Sequence, residues 1–267
     1  MHRRGLRLII AVLCSSVVPA VTGCGRPNAG GALPPRTKVA RVARTASERQ
    51  RLIRPEGKRR HGELFDTFNE QIVREDRDVG TVFLGDSITE AWDLHVYFMP
   101  ALGELLVNRG ISGDTAEGLS KRFDADVIQL RPRNVVILVG TNDVVYLSDK
   151  EKSAEEIEKQ VTATIESMVD RAQAAGINVL LCSILPTGPD AGKHAAHPEI
   201  RMQINDRLMA LCKAKKCVYV DYAAQMRDAA GNLRAGLARD GLHPDWAGLK
   251  IMAKVLLDTM RKNGLHL

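Results

Sequence analysis

Beyond residue 62 the chain alternates two kinds of segment. Short runs that are apolar throughout fall at Thr81–Leu84, Leu105–Asn108, Asn134–Val139, Asn178–Ile184 and Val218–Asp221, and these predict five strands. Longer segments with apolar positions every three to four residues fall at Glu63–Arg74, Ala116–Leu130, Ala154–Ala175, Glu199–Lys215 and Trp246–Lys262, and these predict helices. Strands without a polar face must be covered on both sides. Separated by helices of this length, they predict a parallel five-stranded sheet with helices on both faces, a three-layer α/β sandwich. Neither an internal repeat nor a second core is visible, so residues 62–267 read as one domain.

The amino-terminal part has a different pattern. Arg3, Arg4 and Arg7 precede an apolar stretch from Leu8 to Val21, too short to span a bilayer and laid out as an export signal. It closes on Val21, Thr22, Gly23 and Cys24, which resemble a bacterial lipobox. That resemblance implies a signal peptide over 1–23, lipidation of Cys24 and an exported protein anchored in the cell envelope. The alternative is ordinary cleavage near Ala20 or Gly23, leaving Cys24 a free thiol. Residues 24–61 are rich in Gly, Pro and Arg with no sustained apolar period, and read as a basic flexible linker. It could serve as a plain tether or bind anionic head groups near the anchor.

Charge sharpens the division. Of the formal +6 on 267 residues, +3 lies in 1–23 and +9 in 24–60, which leaves −6 on the rest. An acidic domain with only 4% aromatic residues lacks the basic face and stacking platforms that nucleic-acid binding uses, so that class is excluded. Among the cysteines, Cys182 lies inside a predicted strand and reads as an inert core thiol. Cys212 and Cys217 flank a helix-to-strand junction, where a disulfide closing the short loop is expected, the alternative being two reduced thiols.

The candidate chemistry collects at strand ends. "GDS" at 85–87 follows the first strand, "NRGISGDT" at 108–115 the second and "GTND" at 140–143 the third, while "DGLHPDWAG" at 240–248 opens the last helix. A parallel sheet would bring all four to one edge, where open α/β folds keep their ligand sites. Ser87 alone could be a helix cap. A serine hydroxyl becomes a nucleophile only with a base in reach and a group that orients that base, roles that His243 and Asp240 could fill. Asp240 could instead cap the last helix, and "GTND" could be a plain turn.

Taken together and in order, GDSIT at 85–89, Gly113, Asn142 and the Asp240–His243 pair resemble the blocks of the SGNH, or GDSL, hydrolase family. The spacing is similar to the branch with bacterial lysophospholipase-like, platelet-activating-factor-acetylhydrolase-like and carbohydrate acetylesterase members. The resemblance implies a flavodoxin-like sandwich and a catalytic Ser87, Asp240 and His243. It also implies an oxyanion hole made by the backbone N–H groups of Ser87 and Gly113 and the Asn142 amide, with no metal and no organic cofactor. The function it implies is cleavage of an acylated sugar or lipid through an acyl-enzyme. The alternatives are an O-acyltransferase using the same serine, a lysophospholipase acting on long chains, and an inactive glycan- or lipid-binding module. His194 and His197 lack a third ligand for a metal. Asp86, Asp114 and Asp143 are expected to hold loops by hydrogen bonds. Trp92, Tyr97, Phe98 and Met99 are expected in the core more than along an acyl pocket.

Overall fold

The computed structural model describes residues 43–55, 61–100 and 104–267. The expected signal peptide, Cys24 and the start of the expected linker lie outside the described residues. Described elements in chain order are α1 (Ala46–Gln50), α2 (Gly62–Arg74), β1 (Asp78–Gly85), α3 (Ser87–Glu90), α4 (Leu94–Tyr97), β2 (Glu104–Gly110) and α5 (Ala116–Asp126). There follow β3 (Asn134–Leu138), α6 (Thr141–Ser148), α7 (Ala154–Ala174), β4 (Asn178–Cys182), α8 (Pro198–Lys215), β5 (Val218–Val220), α9 (Tyr222–Met226) and α10 (Trp246–Lys262).

The five strands form one parallel sheet in the order β2-β1-β3-β4-β5. Successive side chains point to opposite faces. Val82, Leu84, Val135, Ile137, Val179 and Leu181 pack under α2, α5, α7 and α8, whereas Phe83, Val136, Leu138, Leu180 and Cys182 pack under α9 and α10. This makes the three-layer sandwich of a flavodoxin-like fold. Helix α7 shows how sequence sets the layer. Ser153 and Glu156 form a reciprocal capping box at its start, and Ile157, Val161, Ile165, Met168 and Val169 turn one stripe to the sheet. On the other side Leu249, Met252, Ala253, Leu256 and Met260 do the same for α10.

Several boundaries differ from the sequence pattern. The fourth strand stops at Cys182 and not at Ile184, because β5 ends at Val220 and, among the described residues, no further strand lies alongside. The Asn205 side chain takes over there, accepting from the Ile184 N–H at 2.7 Å and donating to its carbonyl at 2.9 Å. Helix α5 ends at Asp126. Val127, fully buried with φ −128°, breaks it from a short 3-10 turn over Ile128–Leu130. Residues 43–55, expected in the linker, lie against the domain. Arg44 is buried, with its guanidinium on Asp76 at 2.9 Å and on the Gln129 carbonyl at 2.7 Å. A basic, Pro-rich composition thus concealed a paired arginine.

The expected disulfide is corrected as well. Cys212 and Cys217 are free thiols, with the Cys217 Sγ donating to the Cys212 Sγ at 3.0 Å. Lys216 in the left-handed region and the Cys217 N–H on the Cys212 carbonyl at 3.0 Å fold the chain back over the last turn of α8. That juxtaposes the sulfurs at hydrogen-bond distance, well beyond the ~2.05 Å of a covalent S–S bond. Cys182 is a buried thiol whose pKa burial pushes up to about 12.

Candidate active site

Strand β1 delivers Asp86 and Ser87 to the carboxyl edge of the sheet. Asp86 is the N-cap of α3, its carboxylate accepting from the Ile88 N–H at 3.0 Å, so Ser87 is the first helical residue and its hydroxyl is not used as a cap. That hydroxyl lies 2.9 Å from Nε2 of His243. On the far side of the ring, Nδ1 lies 2.6 Å from Oδ2 of Asp240. A carboxylate can only accept, so Nδ1 carries the proton and Nε2 is left as the acceptor for the serine hydroxyl.

Asp240 also holds its own loop. Its Oδ1 accepts from the backbone N–H groups of Leu242 at 3.0 Å and His243 at 2.8 Å. Burial works to raise its pKa, but the His243 ring and these two N–H groups outweigh it and hold the carboxyl at about 2. The capping alternative for Asp240 is not what the chain adopts: Asp245 caps α10, accepting from Ala247 and Gly248. Proline 244 precedes that cap.

Gly113 and Asn142 come from the ends of β2 and β3. Gly113 has φ +80°, a left-handed conformation that glycine adopts without penalty. The N–H groups of Ser87 and Gly113 have no hydrogen-bond partner among the described residues. Asn142 is not in a plain turn but on the first turn of α6, a helix that the sequence pattern did not indicate. It is buried, and its Nδ2 donates to the carbonyl of Asp114 at 2.9 Å. The two loops are thereby joined.

The three neighbouring aspartates hold loops, each in a different way. Asp114 accepts from Arg122 Nε at 2.8 Å, and the buried guanidinium also donates to Asp126 at 2.9 Å and to the Gly85 carbonyl at 3.1 Å. Arg122 therefore ties the end of β1 to the Gly113 loop. Asp143 receives the Ala116 N–H on both oxygens, at 3.0 and 3.1 Å. Burial raises the carboxyls of Asp86 and Asp143 each to about 7, and the charge of Asp114 adds to both.

Residues that sequence reasoning passed over complete the surroundings. Glu90, on α3, accepts the Ser112 N–H at 2.6 Å and meets His61 Nε2 at 2.7 Å, so it fixes the loop just before Gly113. Gly110 is the last residue of β2, where a Cβ would lie 2.1 Å from the Glu90 nitrogen. Only bare backbone lets α3 approach so closely. The two loop histidines part company: His194 Nε2 faces Asn142 Oδ1 at 3.2 Å, while His197 pairs with Glu199 at 3.3 Å. Among the described residues no group of three His, Cys, Asp or Glu could hold a metal ion. Trp92 and Phe98 are buried with Phe83 in an aromatic cluster, whereas Met99, expected with them in the core, is 94% exposed.

The sequence profile of the family described as GDSL-like Lipase/Acylhydrolase matches residues 83–251, a span that contains Ser87, Gly113, Asn142, Asp240 and His243. The chain is 28% identical over 165 residues to an acetylxylan esterase of Geobacillus stearothermophilus, covering 59% of this chain and 73% of that protein. It superposes on a GDSL-like lipase of Bacteroides thetaiotaomicron with a TM-score of 0.61 and 31% identity, over 75% of this chain and 97% of the other. An uncharacterized lipoprotein of Bacillus subtilis is 27% identical over 89 residues, 33% of this chain and 36% of that protein.

Proposed function

The chain belongs to the GDSL-like lipase/acylhydrolase family and is a carboxylic ester hydrolase, and on that premise we propose that Ser87, His243 and Asp240 are its nucleophile, base and orienting carboxylate. The observation that carries this is the unbroken chain of two hydrogen bonds, 2.9 and 2.6 Å, from the serine hydroxyl through the imidazole to the carboxylate. As Ser87 Oγ attacks the ester carbonyl, its proton passes to His243 Nε2. The imidazolium so formed is stabilised by Asp240, which stays ionised. The N–H groups of Ser87 and Gly113 and the second N–H of Asn142 would receive the developing oxyanion, since none of the three has another partner among the described residues. His243 then hands its proton to the departing alkoxide, and a water repeats the sequence in reverse to release the acid.

For the substrate we favour a short-acyl ester of a carbohydrate. Support comes from the likeness to the acetylxylan esterase, a protein named for acting on an acetylated polysaccharide. For location we favour an exported lipoprotein anchored at Cys24, working on esters within reach of the membrane; the sequence of the amino-terminal segment and the likeness to a lipoprotein both support it.

The test labels wild type and Ser87→Ala with a fluorophosphonate and measures kcat/KM on acetyl-sugar esters and a C2 to C16 ester series, with and without an acceptor sugar. Labelling and turnover lost together in Ser87→Ala support the mechanism, and undiminished turnover in the folded variant sinks it. A maximum at long chains points to a lysophospholipase, and acyl transfer to the acceptor to an acyltransferase. Partitioning of wild type and Cys24→Ser between membrane and soluble fractions decides the anchor.

A further inference from the structure

We propose that His194 is a positioning residue of the oxyanion hole, fixing which end of the Asn142 carboxamide faces the substrate. This rests on the serine-esterase reading above and adds to it a residue outside the motif blocks. The Asp114 carbonyl lies 2.9 Å from the Asn142 side chain. A carbonyl cannot donate, so the carboxamide end that faces it must be the NH2 group. The amide is planar and its oxygen then points the other way, to Nε2 of His194 at 3.2 Å. That oxygen can only accept, so Nε2 carries the proton of a neutral imidazole. Burial, reinforced by the neighbouring His243 and Arg201, moves His194 below the usual histidine range, against the pull of Asp240, and so favours that neutral form.

A carboxamide has nearly the same shape after a half-turn, and only its partners set its direction. With both contacts made, turning Asn142 over would set its oxygen against the Asp114 carbonyl and its NH2 against the His194 N–H. With His194 gone, only the Asp114 contact opposes rotation. The remaining N–H, the one free to meet an oxyanion, is then held less firmly.

The segment that carries His194 is itself braced. The His194 N–H donates to the Ala191 carbonyl at 3.1 Å, and the His194 carbonyl accepts from the Thr187 hydroxyl at 3.0 Å. Buried Arg201 in turn donates to Thr187 Oγ1 and to the Ala196 carbonyl, both at 2.8 Å. A loop otherwise rich in Gly and Pro is thus fixed on both sides of the imidazole.

The experiment is a double-mutant cycle. His194→Ala should lower kcat about three- to tenfold with KM little changed, a fraction of the loss of about 10²-fold or more expected for removing the whole donor. His194→Gln, whose side-chain NH2 can still donate to Asn142 Oδ1, should recover most of the rate. In an Asn142→Ala background, His194→Ala should do nothing further. A full additional loss in that background, a loss carried by KM, or no loss from His194→Ala with its melting temperature intact would overturn the proposal. Turnover that survives Ser87→Ala would instead indict the esterase mechanism, so the two failures are told apart.

Discussion

Replacing Asp240 with asparagine separates its two tasks. Its Oδ1 accepts two backbone N–H groups and its Oδ2 accepts the imidazole Nδ1–H at 2.6 Å. An asparagine that keeps its oxygen on the backbone side preserves the loop but presents NH2 to Nδ1, where two donors cannot face each other. The ring relieves this by shifting its proton to Nε2. A protonated Nε2 cannot accept from Ser87, so the loop survives while the base is lost. For a buried triad the wrong tautomer costs about 10⁴ in kcat; here the Asp240 side chain is 53% exposed, and water can partly replace it, so a fall of about 10² to 10⁴ is expected. Stability should change by less than about 1 kcal/mol, since the pair is half in solvent. The assay is kcat for p-nitrophenyl acetate beside a thermal melt, with Asp240→Ala as companion; that variant should lose turnover and also melt earlier, because the backbone N–H groups lose their acceptor. An Asp240→Asn enzyme within about threefold of wild type in kcat, against the expected loss of about 10² or more, would refute the tautomer shift.

Other expectations follow from the same contacts. Asn142→Ala should reduce kcat by roughly 10² to 10³ yet leave fluorophosphonate labelling detectable, as expected for one oxyanion donor; a loss under about threefold would mean the amide points elsewhere. Asp86 has a folded pKa of about 7, raised above its unfolded value, so the stability it contributes is complete below about pH 4 and declines as pH rises through 7. Asp86→Asn, which can still cap α3 through its amide oxygen, should flatten the wild-type fall in urea midpoint between pH 4 and 8; parallel profiles would contradict the burial argument. Gly110→Ala would drive a Cβ to within 2.1 Å of the Glu90 nitrogen, a backbone clash that should cost about 3 kcal/mol and roughly 6–12 °C in Tm. An unchanged melt would show that α3 can move aside.

Much of this protein was legible from pattern alone. Runs such as Val135–Leu138 bury both faces of a strand, and that forces a covered parallel sheet; stripes such as Ile157, Val161 and Ile165 can belong only to a helix seated on it. The order of Ser87, Gly113, Asn142, Asp240 and His243 carried the family with it, because each lies where a strand or loop must deliver it to one edge. Burial periodicity extends over many residues, so local error averages out.

What depended on single contacts was not legible. Helix α6 is almost wholly buried, so no polar stripe marked it. Arg44 looked like linker charge until Asp76 and the Gln129 carbonyl were seen around it, and Cys212 and Cys217 were close enough to suggest a bond that their sulfurs do not make. Glu90, Arg122 and His194 act on residues 22, 37 and 52 positions away, through hydrogen bonds to backbone or to one side-chain atom. Such partners leave no period in the sequence. Tertiary structure alone decides them, because a hydrogen bond depends on tenths of an ångström, and only the packed sheet edge sets distances that finely.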